Sequence, residues 1–151
     1  MDVYRGVRGM ASKEIEIYLE LAEEQLKDAE IAIKNDRYAL CALMSALSAE
    51  NASSALVISL GGRPSKKHRN SLVLYRLSEE ADKAIKARIK NIIDLLKDLE
   101  HHITISRYPI RKGTALLPPQ KLYTREDAAN LLSSAKEILN RVKALIPSPE
   151  K

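Results

Sequence analysis

The chemistry available to this chain concentrates between Arg63 and Arg69. There Arg63-Pro64-Ser65-Lys66-Lys67-His68-Arg69 places four cations and an imidazole in one short stretch. Arg63, Lys66, Lys67 and Arg69 can grip phosphates, since Arg and Lys contacts supply the sequence-independent part of nucleic-acid affinity. They can equally complement the carbonyl end of a preceding helix. Glu50, in the middle of the Ala-rich segment Ser45–Leu56, is the carboxylate most central to an apolar stretch. A carboxylate taken from water needs a partner, and an Arg or Lys from a neighbouring helix is expected. Arg107-Tyr108-Pro109 is expected to be structural. Pro109 stops a helix, Tyr108 packs across the bundle end, and Arg107 meets a carboxylate such as Asp36 or a helix C-terminus. His101 and His102 point about 100° apart on a helix, so no metal site is expected from them. No Gly-rich phosphate loop, nucleophile motif or carboxylate pair with a base is present, so no cofactor is expected.

These residues need elements to hold them. From Tyr38 to Leu60 no Gly or Pro interrupts the chain, and Ala42, Ala46, Ala49 and Ala52 recur at helical spacing. Asn35-Asp36 precedes this segment as a turn and Gly61-Gly62 follows it as a helix stop. A first helix is expected from Ser12, with Ile15, Leu19, Ala22, Leu26, Ala29 and Ile33 as its seam. Residues 1–11 are expected to be a flexible basic arm, 12–147 one domain, and 148–151 a tail. A short helix is expected near residues 68–77, and Ser78 is expected to cap the next one. That next helix carries the clearest seam, Ile85, Ile89, Ile92, Leu96, Leu99 and Ile103. Residues 110–123, with Gly113, Pro118 and Pro119, are expected to be loop. Thr124 with Asp127 caps a last helix whose seam is Ala128, Leu131, Ala135, Ile138, Val142 and Leu145. Strand-like alternation is absent apart from a brief Ile103-Thr104-Ile105-Ser106, which is expected to fray the helix end. The fold predicted is all-α: an antiparallel, up-and-down bundle of four long helices and one short one. In that order the 35–37 turn lies near Arg107, and the 63–69 loop at the far end.

Composition agrees with a single helical domain. The 151 residues are 45% hydrophobic and 30% charged, with neither Phe nor Trp, so Leu, Ile, Val and Ala must build the core. A net charge of +5 permits contact with nucleic acid without requiring it. The lone Cys41 excludes an internal disulfide and reads as a small core residue. No membrane span or signal peptide is expected, and the cytoplasm is the expected location. Leu43, Leu47, Val57 and Ile58 lie off the inward stripe. A homodimer is therefore expected, formed partly by the small-residue face between Ala46 and Ala55.

The run Ala49-Glu50-Asn51-Ala52-Ser53-Ser54-Ala55-Leu56, then Gly61-Gly62, Pro64 and His68, resembles the second helix and following loop of HEPN domains. Arg107-Tyr108-Pro109 resembles the Arg-Tyr-Pro that follows the family's long later helix. Lysines that the family often carries are replaced here by Asn51 and Ser54. The resemblance implies a HEPN-like bundle, a dimer, and frequent pairing with a separate minimal nucleotidyltransferase in toxin–antitoxin or nucleotide-handling systems. Catalytic members cut RNA with an Arg followed by a His, a spacing that Arg63 and His68 meet. There the His would serve as base or acid and the Arg would stabilise charge on phosphorus. The early position of this pair and the flexible Gly61-Gly62 beside it argue for a structural role instead. In that role His68 opens the short helix and Arg63 is solvated. A non-enzymatic partner module is therefore the first functional expectation. The alternatives are an RNA endonuclease using Arg63 and His68, and an RNA- or nucleotide-binding protein using the basic loop.

Overall fold

The Ala-rich segment folds as the helix around which the others pack. In a computed structural model describing residues 2–147, with side chains from residue 11, this is α2, Tyr38–Ser59. Preceding it is α1, Asp2–Lys34; after it come α3, Asn70–Ser78, α4, Lys83–Glu100, and a single-turn α5, His102–Ile105. Then follow strands β1, Ile110–Lys112, and β2, Ala115–Leu117, a 3-10 turn at Pro119–Lys121, and α6, Arg125–Leu145. The all-α bundle of four long helices is as expected, with α3 and α5 as short additions. The expected tail, residues 148–151, lies outside the described residues.

Side chains of α2 are buried nearly all round, as befits a helix with neighbours on every side. Ala46, Ala49, Ala52 and Ala55 are essentially inaccessible, covered within the protomer chiefly by α1 and α6. This corrects the expected dimer face, because the small side chains bring this chain's own helices close. Val57 is also buried, and Leu43, Leu47 and Ile58 are half-buried. The helix is long and apolar enough to cross a membrane, but most of it is enclosed by the bundle. Around it Leu56, Leu74, Ile89, Ile92, Leu96, Leu99, Ile138 and Val142 form the core. Each of these contributes about 1.5–3 kcal/mol by leaving water.

Three contacts report the direction of α6. Arg125 pairs with Asp36 at 2.6 Å, Lys136 with Glu30 at 3.2 Å, and Lys143 with Glu23. Residue numbers rise along α6 as they fall along α1, so these helices run antiparallel. The seams expected on α1, α4 and α6 all face inward. Thr124 and Asp127 form the expected capping box.

Local punctuation departs from expectation in four places. The first helix starts at Asp2 rather than Ser12, so the expected loose arm is helical where it is described. That stretch holds no Pro, and Gly6 and Gly9 cost only about 1 kcal/mol each in a helix. Asp82, not Ser78, caps α4, accepting the Ile85 N–H at 2.9 Å. Within the expected loop, β1 and β2 pair antiparallel with Lys112 opposite Ala115. The two-residue connection Gly113-Thr114, with Gly113 at φ +60°, suits a tight hairpin. Lastly, the chain does not stay at the far end of the bundle after α2. Gly61 at φ +87° terminates α2, and the Gly61 and Gly62 N–H groups bond Ile58 and Val57 carbonyls in a Schellman arrangement. The backbone then turns back, so His68 and Asn70 lie beside the middle of α2.

Candidate functional site

The return of residues 63–70 along α2 follows from one buried amide. Asn70 is 2% exposed, and its Nδ2 lies 2.9 Å from Ser53 Oγ, 3.0 Å from Ser54 Oγ and 3.2 Å from the Glu50 carbonyl. Its Oδ1 accepts the Ser65 N–H at 2.8 Å. Ser65 Oγ in turn accepts the N–H groups of Lys67 and Arg69. The serines of α2 thus form a polar notch in an apolar helix. Buried polar groups demand partners, so the notch holds the loop in place. Ser71 N–H and Oγ both donate to the Glu100 carboxylate at 2.7 Å, closing the start of α3.

Held this way, His68 sits over Glu50. Its Nδ1 donates to Glu50 Oε1 at 2.5 Å, because an ionised carboxylate only accepts. The Glu50 side chain is 18% exposed and that of His68 44%. The expected Arg or Lys partner for Glu50 is therefore corrected to His68, brought across by the loop rather than by a facing helix. Two consequences follow. The carboxylate fixes the ring's orientation and tautomer, leaving Nε2 as the acceptor of the neutral form. The carboxylate also supplies what general acid–base chemistry needs beside an imidazole, a group that holds the ring in one orientation. His68 holds φ +59°, a left-handed conformation uncommon for a residue with a Cβ.

Arg63, Lys66, Lys67 and Arg69 are all exposed or half-exposed, and none forms an ion pair among the described residues. The structure brings Glu50 and His68 into contact and, among the described residues, gives Arg63 no carboxylate partner. The face is open. Neither the cleft of about 570 Å³ between α4 and α6 nor that of about 370 Å³ beside His102 includes Glu50 or His68.

In the Arg107-Tyr108-Pro109 stretch one of the two expected contacts of Arg107 is present, and the expected packing of Tyr108 is not. Arg107 Nε donates to the Ile103 carbonyl at 2.7 Å, so the guanidinium meets a helix C-terminus. It does not meet Asp36, whose carboxylate bonds Arg125 and the Tyr38 hydroxyl. Tyr108 is 55% exposed instead of packed across the bundle end, and the Arg107 guanidinium lies 5.3 Å from its ring centroid. Sequence reasoning missed the role of His102, whose Nδ1 lies 2.7 Å from the Tyr123 hydroxyl. Burial first, then the charge of His101, lowers the His102 pKa to about 4. Burial, then Asp127, raises Tyr123 to about 12. Among the described residues no cluster of His, Cys, Asp and Glu has the makings of a metal site.

Comparison with known proteins bears on the family and the fold. The HEPN domain model matches residues 15–145. A protein of Methanocaldococcus jannaschii named "Putative toxin MJ1304" is 29% identical over 137 residues, spanning 89% of this chain and 90% of its own. The crystal structure of TT1696 from Thermus thermophilus superposes with a TM-score of 0.66 at 22% identity. That match covers 86% of this chain and 96% of the other, and it shows a shared fold.

Proposed function

This chain belongs to the HEPN family, and on that footing we propose that it is the toxin-type member of a two-protein toxin–antitoxin pair. Its target in this reading is RNA, engaged through the face carrying Glu50, His68, Arg63, Lys66, Lys67 and Arg69. One observation carries the reading: an imidazole oriented by a carboxylate stands half-exposed in a loop that also carries four exposed cations without an ion pair among the described residues. An open basic face suits a polymer's phosphates better than an enclosed small molecule. The chemistry fits RNA. His68 Nε2 takes the proton of a ribose 2′-hydroxyl, the 2′-oxygen bonds phosphorus, and the bond to the 5′-oxygen breaks as that oxygen gains a proton. Cations around the loop stabilise the charge gathered on the phosphate. A homodimer would add a second His68 as the acid for the leaving oxygen. The partner we infer is a separate minimal nucleotidyltransferase, which would restrain the toxin.

A second reading rests on the same contact. His68 pins the loop to α2, a structural task that needs no chemistry, so the chain would be a non-enzymatic module for that partner. Incubation of the pure protein with mixed RNA distinguishes the two. Cleavage lost in both His68→Ala and Glu50→Gln, with the helical circular dichroism kept, supports the first. Binding with steep salt dependence and no cleavage supports RNA engagement without catalysis. No binding and no cleavage, together with co-purification of the nucleotidyltransferase, leaves the second.

A further inference from the structure

We propose that the β1–β2 hairpin is a docking edge for an acidic, extended segment of a protein partner, which adds to it as a third strand. The inference does not depend on chemistry at His68. Between Ser106 and Tyr123 the chain carries Arg107, Arg111, Lys112 and Lys121 and neither Asp nor Glu. All four cations are exposed or half-exposed, and none forms an ion pair among the described residues. The hairpin is a two-stranded sheet, so each strand has one edge without a neighbour. Residues flanking a two-residue turn exchange backbone bonds, so the next pair, Arg111 and Leu116, directs its N–H and C=O groups to the outer edges.

The hairpin's two faces differ. Ile110 and Lys112 line the cleft that contains His102, Leu122 and Tyr123, whereas Arg111 and Leu116 alternate to the other side. Leu116 is 57% exposed. A free edge with a large apolar side chain beside it is what strand addition uses: main-chain bonds hold the ligand and alternate side chains select it.

Charge decides which occupant fits. A second copy would bring an equally basic hairpin, and like charges set opposite each other repel. Single-stranded RNA matches the cations but offers no main-chain N–H and C=O groups for the Arg111 and Leu116 edges. An acidic peptide in extended form satisfies both demands.

The test is fluorescence anisotropy of a labelled short peptide alternating Glu and Val, titrated with the full chain. Saturable binding is expected. Arg111→Glu combined with Lys112→Glu should weaken it about tenfold or more by reversing the charge match. Leu116→Pro should weaken it similarly by removing the edge donor. Because that variant can disturb the hairpin, the test is repeated with the wild-type protein and peptides N-methylated at alternate residues. One methylation register should bind and the other should not. Equal binding of both registers would overturn the proposal, since simple charge attraction would then explain it. So would no binding, or tighter binding of a single-stranded RNA that the hairpin variants abolish.

Discussion

Removing the Asn70 amide should loosen the bundle and the candidate site together. In Asn70→Ala, Ser65 N–H loses its acceptor, and Ser53 Oγ, Ser54 Oγ and the Glu50 carbonyl lose a donor. A hydrogen bond contributes about 0.5–1.5 kcal/mol net, and a buried group left unpaired costs about 1–3 kcal/mol. These contributions do not simply add. Ser53 Oγ already donates to the Glu50 carbonyl, and the half-buried Ser65 can bond water instead. A loss of about 2–3 kcal/mol is therefore expected from urea denaturation. For a chain of this size that corresponds to a fall of about 5–10 °C in Tm. Asn70→Asp is the sharper control, because it keeps the Ser65 contact but replaces the donor with a buried charge. It should be at least as damaging. A loss below about 0.5 kcal/mol in Asn70→Ala would refute the idea that this amide anchors the loop, since surface-like substitutions cost that little. If stability falls as expected, the NMR signals of His68 should shift as well, because the loop that holds it over Glu50 is released.

Four further perturbations have defined outcomes. His102 is held neutral by burial with its pKa near 4, against 6.5 when unfolded, so the unfolded state binds the extra proton between these values. Stability should be fully expressed above pH 6.5 and fall as pH drops towards 4. After discounting for solvent screening of a half-buried ring the loss is about 1–2 kcal/mol, and a chemical-denaturation series in which His102→Asn has the same pH slope as wild type would contradict it. Gly62→Ala places a Cβ 2.7 Å from Leu77 Cδ1. It should cost about 1–3 kcal/mol by thermal unfolding, because Val57 Cγ1 stands 3.2 Å from the same position and rotation of Leu77 alone does not clear it. Thr124→Ala removes the cap at the Asp127 N–H, 3.1 Å from Thr124 Oγ1, and should cost about 1 kcal/mol. By contrast Arg125→Ala, which breaks an exposed ion pair with Asp36 and a cation–π contact with the Tyr38 ring, should change stability by no more than about 1 kcal/mol.

Local sequence was enough to specify the long helices. Period is a local property, and the seams of α1, α4 and α6 repeat often enough to mark which face is buried. The Thr124–Asp127 capping box and the Gly61 stop were legible for the same reason, since each acts within one turn of chain. The resemblance carried by Ala49–Leu56 and by Arg107-Tyr108-Pro109 named the family. What the periodicity of α2 did not reveal is that it is enclosed on nearly every side, so its small residues serve the protomer instead of a dimer. Nor did the sequence decide the partners of its charged and polar groups. Glu50 and His68 are joined because Asn70 draws residues 63–70 back into a notch of serines. Glu100 meets Ser71, Asp36 meets Arg125, and His102 meets Tyr123. Such pairings depend on where distant segments come to lie, and short side-chain bonds leave no periodic trace in the chain. The hairpin escaped notice because three-residue strands are too short to show alternation. Its pairing rests on the turn at Gly113 and on the bundle end that holds its two arms together.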